Sequence, residues 1–504
     1  MTSVVIVGAG PTGIVAATLL ARYHVDCLVL DRWPEVYRQP RAVHLDDEIH
    51  RILSDLGVAE GFAAISRPAA GLQLLDADLK VLARFTREPV GKHGFPQANM
   101  FDQPQLEDLL RTNLARYPQA RLCTNVEVTG FTRLAHDRIR VAFVDRATGA
   151  TEHVEADYLL GCDGANSVVR RKLGVAMTDM RFKQRWLVAD IRSTVDLQQW
   201  DGVHQVCDPV RAATYMRIGN DRYRWEFRLL PNESVADYST LEKLQQLIAP
   251  WVGAATDLEL VRVAEYTFRA AIAQRWRVGN VFLLGDAAHL TPPFIGQGMG
   301  AGVRDAVNLC WKLAAVIAGD LPEQILDSYP QERKPHARTL IRVALAMGWA
   351  MTAGRGFGAA MRRVLLPCLA QVPALRLRLL DGVTPPLRSS MLVHRSRRRR
   401  SLAGTLCPNA VQSEGFTLVS TTPLSRGVHV ELTRRGTTVL VVEPHSELGR
   451  WLGAGRATAA IIRPDHVVMR SGADVMKLCR LVPSSAGLVS RPSRAGRPSH
   501  RRCR

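Results

Sequence analysis

The chain opens on an apolar, β-branched run, TSVVIVG, then a helical stretch, PTGIVAATLLARY, then a second apolar run, CLVLD. Short apolar runs bounded by glycine predict buried strands and a 3.6-residue recurrence predicts helix, so the first thirty residues read as a βαβ unit. LDDEIHRILSDLG places Ile49, Ile52, Leu53 and Leu56 on one face with acids in its first turn, which predicts an amphipathic helix. A helix is also predicted over FDQPQLEDLLRTNLARY, and strands over ARLCTNVEVTGFTRL, IRVAFVD and ADYLLGCDG. From about 180 to 270 the pattern alternates, as in ATYMRI and YRWEFRLLP, predicting an antiparallel sheet that forms a second domain. NVFLLGDAAHL reads as a buried strand ending at Asp286, followed by helix through GVRDAVNLCWKLAAVIAG and onward to about 380. FTLVS, TTVLVVE and ATAAIIRP, around a helix SELGRWLGAG, predict a small α/β module over 402–470. Beyond 470 no periodicity survives, and a disordered tail is expected there.

Composition narrows the class. With 504 residues and 47% hydrophobic content the chain can fill the cores of two or three domains. No apolar run approaches the ~18–20 residues of a membrane span and no leader pattern precedes the first strand, so a cytoplasmic enzyme is expected. Nine scattered cysteines without a C-x-x-C pair point to reduced thiols, with neither a disulfide framework nor a metal site. The net charge of +19 is local: six arginines fall in 388–400 and seven in 480–504, with no acid in either, leaving +6 for the rest. A solvated linker and a tail account for these runs, and without recognition motifs or interleaved aromatics no nucleic-acid partner is expected.

Three motifs carry chemistry. VVIVGAGPTG sets Gly8, Gly10 and Gly13 between strand and helix, where absent side chains permit the tight turn, the approach of a pyrophosphate and close helix packing. Asp31, eighteen residues past Gly13 at the end of the second strand, can accept hydrogen bonds from an adenosine ribose. This predicts a dinucleotide site without choosing between FAD and NAD. The second motif is GCDGANSVVRR, Gly161 to Arg171, and the third is GNVFLLGDAAHLTPPFIGQGMGAG, Gly279 to Gly302. In the third, Gly285 and Asp286 would stand at the carboxyl edge of the sheet, with Asp286 able to bond a ribityl hydroxyl. Pro293, Gly296, Gly298 and Gly300 would let backbone approach a flat ring ahead of a helix N-terminus.

These motifs, in this order and spacing, resemble the flavoprotein aromatic hydroxylases of the p-hydroxybenzoate hydroxylase fold. PRAVHLDDE, FDQPQLE, RWEFRLLPNE and GQGM followed by RDAVNLCWKLA resemble most the 3-(3-hydroxyphenyl)propionate hydroxylase branch. The resemblance covers about residues 3–380, continues more weakly over 402–470, and stops thereafter. It implies an α/β fold: a Rossmann-like FAD-binding domain (1–175 and 270–385) with an inserted antiparallel-sheet substrate domain (176–269). A basic linker (386–401), a degenerate thioredoxin-like C-terminal module (402–470) and the tail (471–504) would follow. It also implies that Arg41 and Gln103 contact the flavin or its ribityl-diphosphate chain and that Arg32 lies beside the adenosine. Asp163 would serve both FAD and the passing nicotinamide, with Arg170 supporting the turn. Each has a plainer alternative: a surface arginine after Pro40, a capping glutamine before Pro104, an Asp-Gly turn. Where relatives place an asparagine beside the flavin, this chain has Gly300, whose backbone would substitute.

The reaction so implied is hydroxylation of a phenol such as 3-(3-hydroxyphenyl)propionate or 3-hydroxycinnamate. NADH or NADPH would reduce FAD, and O2 activated at flavin C4a as a hydroperoxide would deliver OH to the ring. A polyketide-type phenol hydroxylase and a flavin-binding interaction protein without turnover are the alternatives. A halogenase would carry W-x-W-x-I-P and a disulfide reductase a redox cysteine pair; neither is found. No phenol-activating residue is assigned. Tyr215, Tyr223, His204 and His289 qualify by type alone, as do Arg192, Arg217 and Arg228 for a substrate carboxylate, with core or solvated roles commoner for each. A homodimer is left open.

Overall fold

The computed structural model describes residues 2–38, 42–253, 257–352, 384–396, 401–411 and 415–489. Arg41, the end of the helical stretch to 380, four arginines of the linker and the tail from 490 lie outside the described residues. Strands Val281–Leu283, Tyr158–Gly161, Val4–Val7, Cys27–Leu30 and Ala120–Cys123 lie side by side and parallel, with Arg277–Val278 antiparallel at one edge. The central runs are apolar without alternation because they are buried throughout, with Val128, Ile139 and Val141 of the antiparallel sheet Val126–Arg133, Ile139–Asp145 and Thr151–Ala156 joining their core. Helices Pro11–Arg22 and Gly298–Ala318 pack closely enough for the Cys310 thiol to reach the Ala16 carbonyl at 3.6 Å. The third motif departs from expectation: its strand ends at Leu283, and Gly285, at φ +58°, turns the chain into a 3-10 turn, Gly285–Ala287. Asp286 therefore stands on a turn beyond the strand.

The second sheet has eight strands, in the order His289–Leu290, Glu259–Ala273, Met177–Arg192, Arg222–Arg228, Ala213–Arg217, Val203–Val206, Gly71–Leu75 and Val81–Thr86. It is wider than a 176–269 insertion, since Gly71–Leu75 and Val81–Thr86 join from upstream and Val203–Val206 pairs with Gly71–Leu75 in parallel. One face buries Tyr215, Tyr223, Trp225 and Phe227 beneath the helix Leu241–Val252, whose Leu244, Ile248 and Trp251 complete that core. The alternating residues of the same strands face the other way.

The C-terminal unit is βαβαββα: strands Thr417–Ser420 and Thr438–Val441 are parallel, while Ala459–Ile462 and Val468–Gly472 add antiparallel. The tail expected from 471 is corrected here, because Val475–Leu481 and Ala486–Val489 are helical and bury Leu478, Cys479 and Leu488 against the unit. Asp320 binds this end by accepting the Gly487 and Leu488 amides at 3.0 and 2.9 Å.

This unit also meets the helix Asp47–Asp55. Arg51 Nη1 donates to the Cys407 carbonyl at 2.7 Å, and His466 Nε2 lies 3.0 Å from Asp55 Oδ2. Burial pushes the His466 imidazole down, but hydrogen bonds to Asp55 and Cys407 outweigh it and carry the group up to about 9. A folded-state pKa above the unfolded ~6.5 stabilises fully below pH 6.5 and is lost as pH rises through 9. The docked unit is thus expected to loosen between pH 6.5 and 9.5 by no more than about 3 kcal/mol, with Asp55 partly exposed to screening solvent. Hydrogen exchange around Cys407 and His466 at the two pH values measures this; an Asp55→Asn variant with the same pH dependence as wild type would exclude the pair as its source.

Candidate functional site

A cavity of about 1290 Å³ runs from the glycine loop of the parallel sheet to the open face of the eight-stranded sheet. At the loop end the three glycines divide their duties. Gly8, at φ +101°, lies against the Cys162 carbonyl, which an added Cβ would approach at 2.5 Å. An added Cβ on Gly13 would come within 1.9 Å of the Gly8 carbonyl, so this glycine serves helix packing. Gly10 lines the cavity, and a Cβ there would meet nothing within 4 Å: the space it keeps clear is cavity, not protein.

Asp31 closes that end, accepting from Ala9 N–H at 2.6 Å and Trp33 N–H at 2.8 Å. Arg32 is exposed at the rim, over the Trp33 ring at 5.1 Å. Asp163 accepts the Val169 amide at 3.0 Å, and burial pushes its carboxyl up. Arg170 ties the second motif to the third by donating to the carbonyls of Ala165 and Ala287 at 2.7 and 2.9 Å. Asp286, Pro293, Gly296 and Gly298 line the cavity beyond. Gly285 also lines it, its amide held by Asp305 at 3.1 Å. Gln103 reaches the cavity with its amide engaged, accepting from Ala42 N–H at 2.7 Å and donating to Glu107 at 2.6 Å. Gly300 differs from expectation: it is buried against Ile49 and Arg304, where an added Cβ would sit at 3.2 and 2.9 Å, and is not among the lining residues.

At the sheet end, none of the residues considered by type turns inward. Tyr215 and Tyr223 belong to the covered aromatic face, and the His204 ring stacks edge-on to Tyr215 with Nε2 3.0 Å from the Trp200 carbonyl. His289 is a core residue, 2.7 Å from Asp305 Oδ2 and stacked on Trp276. Arg192 pairs with Glu259 and Asp221, Arg217 pairs with Asp196, and Arg228 does not line the cavity. The inward positions are Val188, Gln205, Thr214, Met216, Arg224 and Glu226.

Arg224 is already held there, its Nε and Nη2 donating to the two oxygens of buried Asp190 at 2.7 and 3.0 Å. Arg262 adds a contact to Asp190 at 3.1 Å, and Arg222 binds Asp102 at 2.7 Å. Between the two ends stands His44, its Nδ1 3.5 Å from the Gly296 carbonyl; burial pushes this imidazole down. His44 and Glu226 were missed from sequence. The two-residue period of YRWEFR separates its faces, but not which of them the helix Leu241–Val252 covers.

Residues 1–344 match the family model described as an FAD binding domain; the chain belongs to that family, and within it to the FAD-dependent aromatic hydroxylases. Along nearly its whole length it is similar to a probable NADH-specific resorcinol 4-hydroxylase of Rhodococcus jostii (strain RHA1), 33% identical over 97% of this chain and 96% of the relative. It is 37% identical to a 3-(3-hydroxy-phenyl)propionate/3-hydroxycinnamic acid hydroxylase of Burkholderia cenocepacia (strain HI2424), over 69% of this chain and 63% of that protein's length. Its fold is similar to that of the flavin-dependent monooxygenase PieE, solved with FAD and substrate, at a TM-score of 0.79 and 22% identity over 95% of this chain and 97% of the other. FAD is the cofactor of the family, and the cavity fits it. The loop at Gly10 keeps a path clear, the carboxyl groups of Asp31 and Asp286 border it, and the volume exceeds the ~300–1,000 Å³ of ordinary ligand sites.

Proposed function

We propose that this enzyme inserts one oxygen atom of O2 into a phenolic ring held against the eight-stranded sheet, with NADH or NADPH as electron donor. The balance is phenol, O2, NAD(P)H and a proton giving the hydroxylated phenol, NAD(P)+ and water. Bound FAD supplies the electron transfer and oxygen activation. The glycine loop and the N-terminus of the helix Pro11–Arg22 would hold the diphosphate, with Asp31 and Arg32 at the adenosine and Asp163 and Asp286 along the ribityl chain. Pro293, Gly296 and Gly298 would present backbone to the ring, ahead of the positive end of the helix Gly298–Ala318. Gln103 would act at one remove, by fixing Ala42. Gly13 and Gly300 would act through packing, and Arg41 is retained on resemblance alone.

The observation that carries this reading is the continuity of one cavity from the Gly10 loop to Thr214, Met216 and Glu226. Met216, Phe268 and Phe294 give its far end an apolar lining that limits water, as an oxygen-activating site requires. Among the described residues no helix is long and apolar enough to cross a membrane. We place the enzyme in the cytoplasm, leaving a homodimer as an outcome of solution measurements. NADH and NADPH oxidation by the FAD-loaded protein, with resorcinol, 3-(3-hydroxyphenyl)propionate, 3-hydroxycinnamate and polyketide phenols, tests the function. Substrate-stimulated oxidation with a hydroxylated product is expected for at least one; its absence for all would leave a flavin-binding protein without turnover.

A further inference from the structure

Strand Arg222–Arg228 pairs with Met177–Arg192 on one side and Ala213–Arg217 on the other, so Glu226 stands opposite Val188 and Thr214, all three facing the cavity. The Glu226 side chain is only 8% exposed, and among the described residues no hydrogen-bond donor reaches its carboxyl group. The charged groups facing it are Arg224 on its own strand, Asp190 on the adjacent strand Met177–Arg192, and Arg262 on the strand beyond that. Arg224 and Arg262 both turn toward Asp190, at 2.7 and 3.1 Å. A carboxyl group that opens on a cavity takes its hydrogen bonds from what fills that cavity, water or a ligand. Burial pushes the Glu226 carboxyl above its usual range, which makes its carboxylate a stronger base.

We propose that Glu226 accepts the hydroxyl of the ring substrate and takes its proton as the ring is attacked, so that the cavity selects neutral hydroxylated rings over aryl carboxylates. This rests on the reading of the chain as a phenol hydroxylase. The phenolic O–H bond breaks, the proton forms an O–H bond on the carboxylate, and the electron pair left on oxygen enriches the ortho and para carbons. After oxygen insertion the ring carbon's own proton moves to the phenolic oxygen as aromaticity returns, and the proton on Glu226 leaves with the water the reaction forms. Selectivity has the same origin. An aryl carboxylate placed against this wall would meet a second carboxylate, with the Nε and Nη2 donors of the buried guanidinium beside it already engaged by Asp190.

The test uses FAD-loaded wild type, Glu226→Gln and Glu226→Asp. Ligand binding is read from the flavin absorbance change with resorcinol, 1,3-dimethoxybenzene and 3,5-dihydroxybenzoate, and kcat/KM is followed against pH. Wild type is expected to bind resorcinol at least ~10-fold more tightly than either other ligand, because an acceptor built for a hydroxyl rejects the analogue lacking it. Glu226→Gln should keep its FAD, lose about 10²-fold in kcat/KM, and regain rate only as pH approaches the phenol's own ionisation. Glu226→Asp should fall between the two. A wild type that hydroxylates resorcinol, with a Gln variant matching its rate and pH profile, overturns the assignment alone. So does a wild type that binds the ether or the benzoate as tightly as resorcinol, a comparison that needs no variant. A wild type that hydroxylates no phenol overturns the hydroxylase reading and this assignment with it.

Discussion

Gly10→Val is expected to yield a protein that folds normally and binds almost no FAD. Gly10 caps the helix Pro11–Arg22 at φ −73° and ψ −179°, extended backbone that valine adopts readily, and its missing side chain faces open cavity. No protein contact is lost or forced, so the thermal midpoint of the apoprotein should stay near that of wild-type apoprotein. The branched side chain fills the path of the diphosphate, and FAD affinity should fall at least ~100-fold, about 2.7 kcal/mol. Gly13→Ala gives the opposite pattern. Its Cβ would stand 1.9 Å from the Gly8 carbonyl, a backbone atom, so the helix must move off the strand. The apoprotein itself should lose roughly 1–3 kcal/mol, before any cofactor is added. Bound flavin per chain, read from absorbance, and thermal unfolding of the apoproteins separate the two. A Gly10→Val protein as yellow as wild type would mean that the diphosphate does not pass this loop.

That contrast also marks how far the sequence could be read. The turn at Gly8 and the helix packing at Gly13 were legible because they are set within ten residues, by spacing and by a strand and helix that declare themselves locally. The turn at Gly285 was harder: FLLGDAAHL reads as one apolar strand, and only the positive φ of Gly285 and its amide bond to Asp305 end the strand early. Long-range pairing was out of reach. Nothing local in GLQLLDADLKVLARFT says that Gly71–Leu75 will lie parallel to a strand more than a hundred residues later. The inner face of the cavity stayed unread for a related reason: Tyr215, Tyr223 and His204 qualify by type and take the core roles commoner for them, whereas the position of one covering helix gives the inner face to Thr214, Arg224 and Glu226. The helices past 471 were missed because segments so short show no periodicity until packing supplies it.

Glu332→Ala is expected to release the C-terminal unit from the rest of the protein. The Glu332 carboxylate, on the helix Ser328–Thr352, is fully buried and accepts four hydrogen bonds. Oε2 receives Asn308 Nδ2 at 2.8 Å and Lys312 Nζ at 2.9 Å; Oε1 receives Arg463 Nη1 at 2.9 Å and Ser390 Oγ at 2.6 Å. Arg463 and Ser390 come from the C-terminal side of the chain, so one carboxylate joins a cation on its own side, Lys312, to one across the junction, Arg463, which Asp465 shares. Burial opposes its charge, yet the guanidinium and ammonium beside it hold it well below the usual carboxylate range. Truncation leaves Lys312 and Arg463 inside with only Asp465 between them, and breaking a buried pair by removing one partner costs ~3–5 kcal/mol. Burial pulls Lys312 down to about 8 even with Glu332 holding it up, so in the variant this lysine sheds its proton at a lower pH than in wild type, and part of the lost stability should return as pH rises through that point. Replacing Lys312, Glu332, Arg463 and Asp465 together by methionine or leucine should recover what the single change loses to bare charge, since no ion of the cluster then remains unpaired. Urea unfolding of the three proteins, with proteolysis near residues 401–411 reporting the junction, gives the measurement. If Glu332→Ala unfolds within about 1 kcal/mol of wild type, the junction is held by the Trp311–Phe416 contact and its apolar surroundings instead, and the ion cluster is incidental to docking.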